Sequence, residues 1–178
     1  MVPAVLMLLM ILVILVILTA AWAVHARRVL AAAEENCRNA MAQIGVQLSF
    51  RFDALSALAD LTEAHTGGEA RGLAETIRSR QCAITGESTP GQVAAQEAVI
   101  DQTLEHIARL AAQHPELAHS QSYLHCLDAV DSYEKMVRTS CLIYNDSAAG
   151  LNRRLRRFPT ALAAGLLGFR QRDSLEYK

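Results

Sequence analysis

From Met1 to Val24 the chain carries no Lys, Arg, Asp, Glu or His, and most of its side chains are Val, Leu, Ile, Met or Ala. As a helix rising ~1.5 Å per residue the stretch reaches ~36 Å, enough to cross a ~30 Å hydrocarbon core with modest tilt. The rest of the 178-residue chain is therefore predicted to work within a short tether of a membrane. A cleaved signal peptide is the rival reading, and Ala21-Trp22-Ala23 matches a small-x-small cleavage pattern. Signal peptides, however, open on basic residues and keep their apolar run to about 7–15 residues. Here nothing basic precedes the run, the run is longer, and Trp22 suits an interfacial anchor. His25, Arg27 and Arg28 follow at once, and this charge bias predicts the N-terminus outside and the C-terminal side in the cytoplasm.

Past the span, the chain is long enough for one domain with a real core, so the expected division is 1–24 as a membrane helix and 25–178 as a cytoplasmic domain. Ala, Leu, Gln, Glu and Arg are common there, aromatics are few and β-branched runs are missing, which favours helices. Cys37, Cys82, Cys126 and Cys141 show no CxxC spacing, so zinc and thioredoxin-type chemistry find no support. They are expected to behave as small buried apolar residues in a reducing compartment. Asn145-Asp146-Ser147 matches a glycosylation sequon, a short match that a cytoplasmic helix would not present to that machinery.

Four helices are expected. The membrane helix should continue through Gly45 to about His65 and end at Gly67-Gly68. A shorter helix is predicted from about Glu69 to Ile84. Thr89-Pro90-Gly91-Gln92 then reads as a start, with Thr as N-cap, Pro at the first helical position and Gln completing a capping box. This third helix should reach about Gln113, where His114-Pro115 interrupts it. A last, long helix should run from near Ser120 to Phe158-Pro159.

The last helix carries an apolar stripe at alternating three- and four-residue spacing: Leu127, Val130, Val137, Cys141, Tyr144, Ala148, Leu151, Leu155 and Phe158. The first has the same spacing in Leu30, Cys37, Met41, Ile44, Leu48, Leu55, Leu58 and Thr62. Such stripes predict heptad packing in an antiparallel bundle. Each is interrupted by one charge, Arg51 in the first and Glu134 in the last, at heights that agree if the two helices run antiparallel. A structural ion pair between them is one reading; two side chains snorkelling separately to the surface is the other.

No Walker loop, dinucleotide fingerprint, GxSxG elbow or HExxH helix occurs, and no cofactor or enzymatic activity is expected. His106, His114, His119 and His125 cluster loosely in sequence but lack the i, i+3 or i+4 spacing that shares a helical face. Asp128, Asp131 and Glu134 do share one, which leaves a hard-cation site open beside the simpler reading of a solvated acidic face. Charge is unevenly spread. Between Asp53 and Glu134 thirteen acidic side chains face four arginines, whereas Gly150 to Arg172 holds six arginines and no acid. If the last helix returns antiparallel to the first, Arg153, Arg154, Arg156 and Arg157 come back toward the bilayer, where anionic headgroups attract each base by ~1 kcal/mol. Solvation of a helix end is the alternative. Nucleic acid is not an expected partner, because aromatics are not interleaved with these arginines and the net charge is only −1.

Tyr144-Asn145-Asp146, Asn152, Phe158-Pro159, Leu162 and the run Ala164-Gly165-Leu166-Leu167-Gly168-Phe169 together resemble the closing signature of the LemA family of bacterial membrane proteins. Gln43-Ile44, Val46-Gln47-Leu48, Arg51, Asp53 and Leu58 are similar to that family's first long helix, and Pro115-Glu116-Leu117 to its turn before the last one. Glu134 sits where the family usually has Glu. Met41, Ser56 and Cys141 depart from its usual Trp, Pro and Arg. The resemblance implies an N-terminal transmembrane helix followed by an antiparallel helical bundle in a bacterial inner membrane, with no assigned enzymatic activity.

The expectation is thus a single-pass, all-α membrane protein that acts as a non-enzymatic scaffold. Its expected partners are the lipid bilayer and an unidentified protein or a second copy. The alternatives are a membrane-organising protein, or a ligand or metal sensor or enzyme using the carboxylate or histidine cluster.

Overall fold

The computed structural model describes residues 2–66, 68 and 70–176, the side chains of residues 2–5 and 163 excepted. Every regular element among them is a helix. The first, α1 (Val2–Thr66), runs 65 residues without interruption, so the apolar stretch continues directly into the bundle. Gly45 does not break it. The backbone there faces Ile84, and a Cβ at this position would overlap the Ile84 carbonyl. The missing side chain is what lets the segment around Ile84 lie against α1. The helix stops at Thr66, followed by Gly68 at φ +117, a backbone angle suited to glycine. Gly67, the other half of the expected stop, lies outside the described residues, as does Glu69.

The second helix, α2 (Leu73–Arg80), is shorter at both ends than its sequence suggests. Gly72 precedes it in the left-handed region, at φ 73, and the chain turns extended at Gln81. Buried Gln96 explains the early end. Its carboxamide accepts from the Cys82 N–H at 2.7 Å and donates to the Arg80 carbonyl at 3.3 Å, supplying the partners that a further helical turn would have supplied.

Helix α3 (Pro90–Gln113) begins with the expected capping box. The Thr89 hydroxyl accepts from the Gln92 N–H, and the Gln92 side chain accepts from the Thr89 N–H at 2.8 Å. After the break at His114 a single turn, α4 (Pro115–Ala118), leads into α5 (Gln121–Arg156). A short helix that the sequence reading did not contain, α6 (Thr160–Leu167), follows and ends on Gly168 at φ 77. Because α5 stops at Arg156, the heptad count stops with it. Phe158, assigned above to the buried stripe, is 76% exposed.

The chain packs as two compact units, through both of which α1 and α5 run. One comprises Met1–Asn36 and Ser147–Arg172, the other Cys37–Asp146 and Asp173–Lys178. In the first, Ala26, Leu30 and Ala33 of α1 are buried, as are Ala148, Leu151 and Leu155 of α5 and Ala164 of α6. Leu6 to Leu18 are each more than half exposed, an apolar surface of the kind that lipid covers. In the second, the stripe positions from Cys37 to Thr62 pack with α2, α3 and α5 around buried Phe52, Ile77, Ile100, Ile107 and Val137. Two of the four cysteines depart from expectation. Cys37 and Cys141 are buried on helix stripes, but Cys82 is exposed on the extended segment after α2, and Cys126 is half-buried.

Candidate functional site

Arg51 is 1% exposed, and its guanidinium joins three helices. Its Nη1 donates to Glu97 Oε2 on α3 at 2.5 Å, and its Nη2 to Glu134 Oε2 on α5 at 2.8 Å. The two interrupting charges of the α1 and α5 stripes therefore meet. The sequence reading missed the third member, Glu97, although the same signal marked it. Glu97 falls four residues after buried Val93 and three before buried Ile100, so it too is a charge at a core position.

The two carboxylates differ in surroundings. The Glu97 side chain is 14% exposed and that of Glu134 38%. The effect of the Glu97 carboxylate reaches the neighbouring thiol. Burial first, and the Glu97 carboxylate second, push Cys141 from 9.0 up to about 11. At neutral pH it is a thiol, not the thiolate that nucleophilic or redox chemistry requires. A cavity of about 320 Å³ lies over the cluster, lined by Arg51, Glu97, Asp101 and Glu134, by Val93, Ala94 and Ala98, and by Leu175 and Glu176 of the C-terminal tail. Beside the pair the Phe50 and Tyr133 rings stack with centroids 5.6 Å apart.

The carboxylate triplet considered above is divided by this geometry. Glu134 is bonded to Arg51, while Asp128 and Asp131 stay exposed on α5. The histidines are dispersed in role as well. His114 contacts Glu116 at 3.2 Å, and the His119 ring lies 2.6 Å from the Pro115 carbonyl. His106 and His125 are exposed. Backbone and His114 hydrogen bonds lower the Glu116 carboxyl below its usual range. Among the described residues no three of His, Cys, Asp or Glu gather in a way that could hold a metal.

In the other unit the arginines sit at the end of α5. Arg153, Arg154 and Arg156 occupy its last turn with Arg157 just beyond, and all four are exposed. Gly150, Arg153, Arg154 and Arg157 line an open concavity of about 300 Å³. Past them Phe158, Leu162 and Leu166 are 76%, 62% and 90% exposed, so charge and apolar surface lie in succession along the same unit. Arg156 donates to the Gln171 side chain at 2.9 Å. The Asn152 carboxamide holds the backbone of Arg172, accepting from its N–H at 3.0 Å and donating to its carbonyl at 2.8 Å. Arg172 in turn reaches Glu34 at 3.5 Å.

With this geometry in place, comparison with protein families decides the kinship. The LemA family model matches residues 40–178, well over half of the chain. The chain belongs to the LemA family. The matched region takes in the Arg51 cluster, the arginine-rich end of α5 and the tail, and begins after the apolar part of α1. No curated protein matches the chain. LemA membership and the long apolar N-terminal helix together fit a membrane-anchored protein.

Proposed function

We propose that this LemA protein is a single-pass scaffold of a bacterial inner membrane, N-terminus outside and helical domain in the cytoplasm, without catalysis of its own. We further propose that Arg153, Arg154, Arg156 and Arg157 rest on anionic lipid headgroups. The observation that carries the lipid contact is the makeup of one compact unit, which contains the apolar stretch of α1, these four arginines and the exposed Leu162 and Leu166. A basic cluster next to apolar side chains is the composition of an interfacial element, and each base near an anionic surface contributes ~1 kcal/mol.

The test uses the full chain in nanodiscs, either wholly zwitterionic or containing anionic lipid, with amide hydrogen exchange read over residues 157–169. Exchange should be slower with anionic lipid, should quicken as salt screens the contact, and should lose its lipid dependence when the four arginines are changed to Gln. Equal exchange in both lipids would return the arginines to helix-end solvation.

A further inference from the structure

Residues 173–176 form no regular structure, yet they are held firmly within the second unit. The Asn145 carboxamide on α5 accepts from the Leu175 N–H at 2.7 Å and donates to the Leu175 carbonyl at 2.8 Å. This is the donor–acceptor pair that one residue of an extended strand offers to a neighbouring strand. The Tyr144 hydroxyl donates to the Asp173 carbonyl at 3.1 Å. The Leu175 side chain is 6% exposed and closes one wall of the cavity formed by Val93, Ala94 and Ala98 of α3 above Arg51. Asp173, Ser174 and Glu176, by contrast, are exposed.

We propose that the groove between α3 and α5 is a receptor site for an extended partner peptide bearing one aliphatic anchor residue, and that the chain's own C-terminal tail is its resident, displaceable occupant. The recognition has two parts. A main-chain clamp accepts almost any sequence in extended form, and one apolar slot selects a leucine-like side chain; this is the logic by which grooves read strands through backbone bonds and pockets. Nothing in this clamp depends on the tail being covalently joined to the rest of the chain. A peptide supplying the same backbone and anchor makes the same contacts once the tail, which competes at the high effective concentration of a short tether, has left. Departure of the tail also opens the cavity over Arg51, Glu97 and Glu134 to solvent.

The probe is a fluorescent peptide of residues 170–178, added to the full chain and to a chain ending at Arg172, both in nanodiscs. The shortened chain should bind it, and the full chain at least about tenfold more weakly. Leucine-to-alanine exchange at Leu175 of the peptide should cost about tenfold. Asn145→Ala in the shortened chain should cost about tenfold to a hundredfold through its two lost bonds. A full-length Leu175→Asp chain, with the anchor disabled but nothing deleted, should bind the peptide as the shortened chain does. If both altered chains keep their helical circular dichroism and neither binds, the proposal is overturned. If both lose it, the tail is a part of the fold and not an occupant, which overturns the proposal equally. Co-isolation of differently tagged full chains that Leu175→Asp abolishes would assign the groove to a second copy and displace the partner peptide.

Discussion

Arg51 has the least tolerant environment of any charged side chain described. Arg51→Met takes from Glu97 and Glu134 the buried guanidinium that bridges them, and breaking such a buried pair typically costs ~3–5 kcal/mol. Glu134→Gln should cost distinctly less, because the Glu134 side chain is 38% exposed and Glu97 still holds the arginine. Arg51→Met combined with Glu97→Leu and Glu134→Leu should recover most of the loss, since apolar replacement of a whole buried cluster is often neutral. Urea titration of the three variants checks the order. Single changes at Arg51 below ~0.5 kcal/mol would mark it as an ordinary surface residue. The thiol beside this cluster makes a separate prediction. Cys141 has its ionisation raised in the folded chain, so its contribution to stability is complete below pH 9.0 and is lost as pH climbs toward about 11. Unfolding free energy should therefore fall across that window, and Cys141→Ala should remove part of the slope.

At the scale of elements, the long stripes were legible because charge or turn residues rarely interrupt them, and every α1 position assigned to the stripe is buried. The edges of α2 and the whole of α6 were less so. The exit of α2 is set by Gln96, a residue fourteen positions past Cys82 whose carboxamide no local pattern reveals. Thr160 to Phe169 carries no charge to mark a helical face, and the eight residues of α6 are too few for a period to show. Gly45 looked like a mere weakness in a helix and proved to be a point of close approach to Ile84. Gly45→Ala, a favourable change in an isolated helix, should here destabilise by ~1–3 kcal/mol, the usual cost of forcing atoms into a filled space. Thr89→Ala, which removes the capping hydroxyl of α3, should cost ~1 kcal/mol. Thermal melts of the two variants test both, and a stabilised Gly45→Ala chain would mean that the segment at Ile84 does not pack on α1.

For the molecule as a whole, fold and family were written in long-range features: an uncharged N-terminal run, two stripes with single charged interruptions, and a C-terminal signature. The use of the tail was not, since Asp173 to Glu176 has no periodicity and owes its place to Tyr144 and Asn145 on α5. The proposed function depends most on which side of the membrane the helical domain occupies, because the lipid contact proposed for the four arginines requires them to face an anionic leaflet. Cys82 provides a native reporter. It is exposed, whereas Cys37 and Cys141 are buried, and Cys126→Ser removes the half-buried fourth. A membrane-impermeant maleimide applied to bacterial cells expressing the Cys126→Ser chain should leave Cys82 unmodified while the cells are intact and label it once they are permeabilised. Labelling of Cys82 in intact cells would put the domain outside and contradict the proposed orientation together with the lipid contact that rests on it.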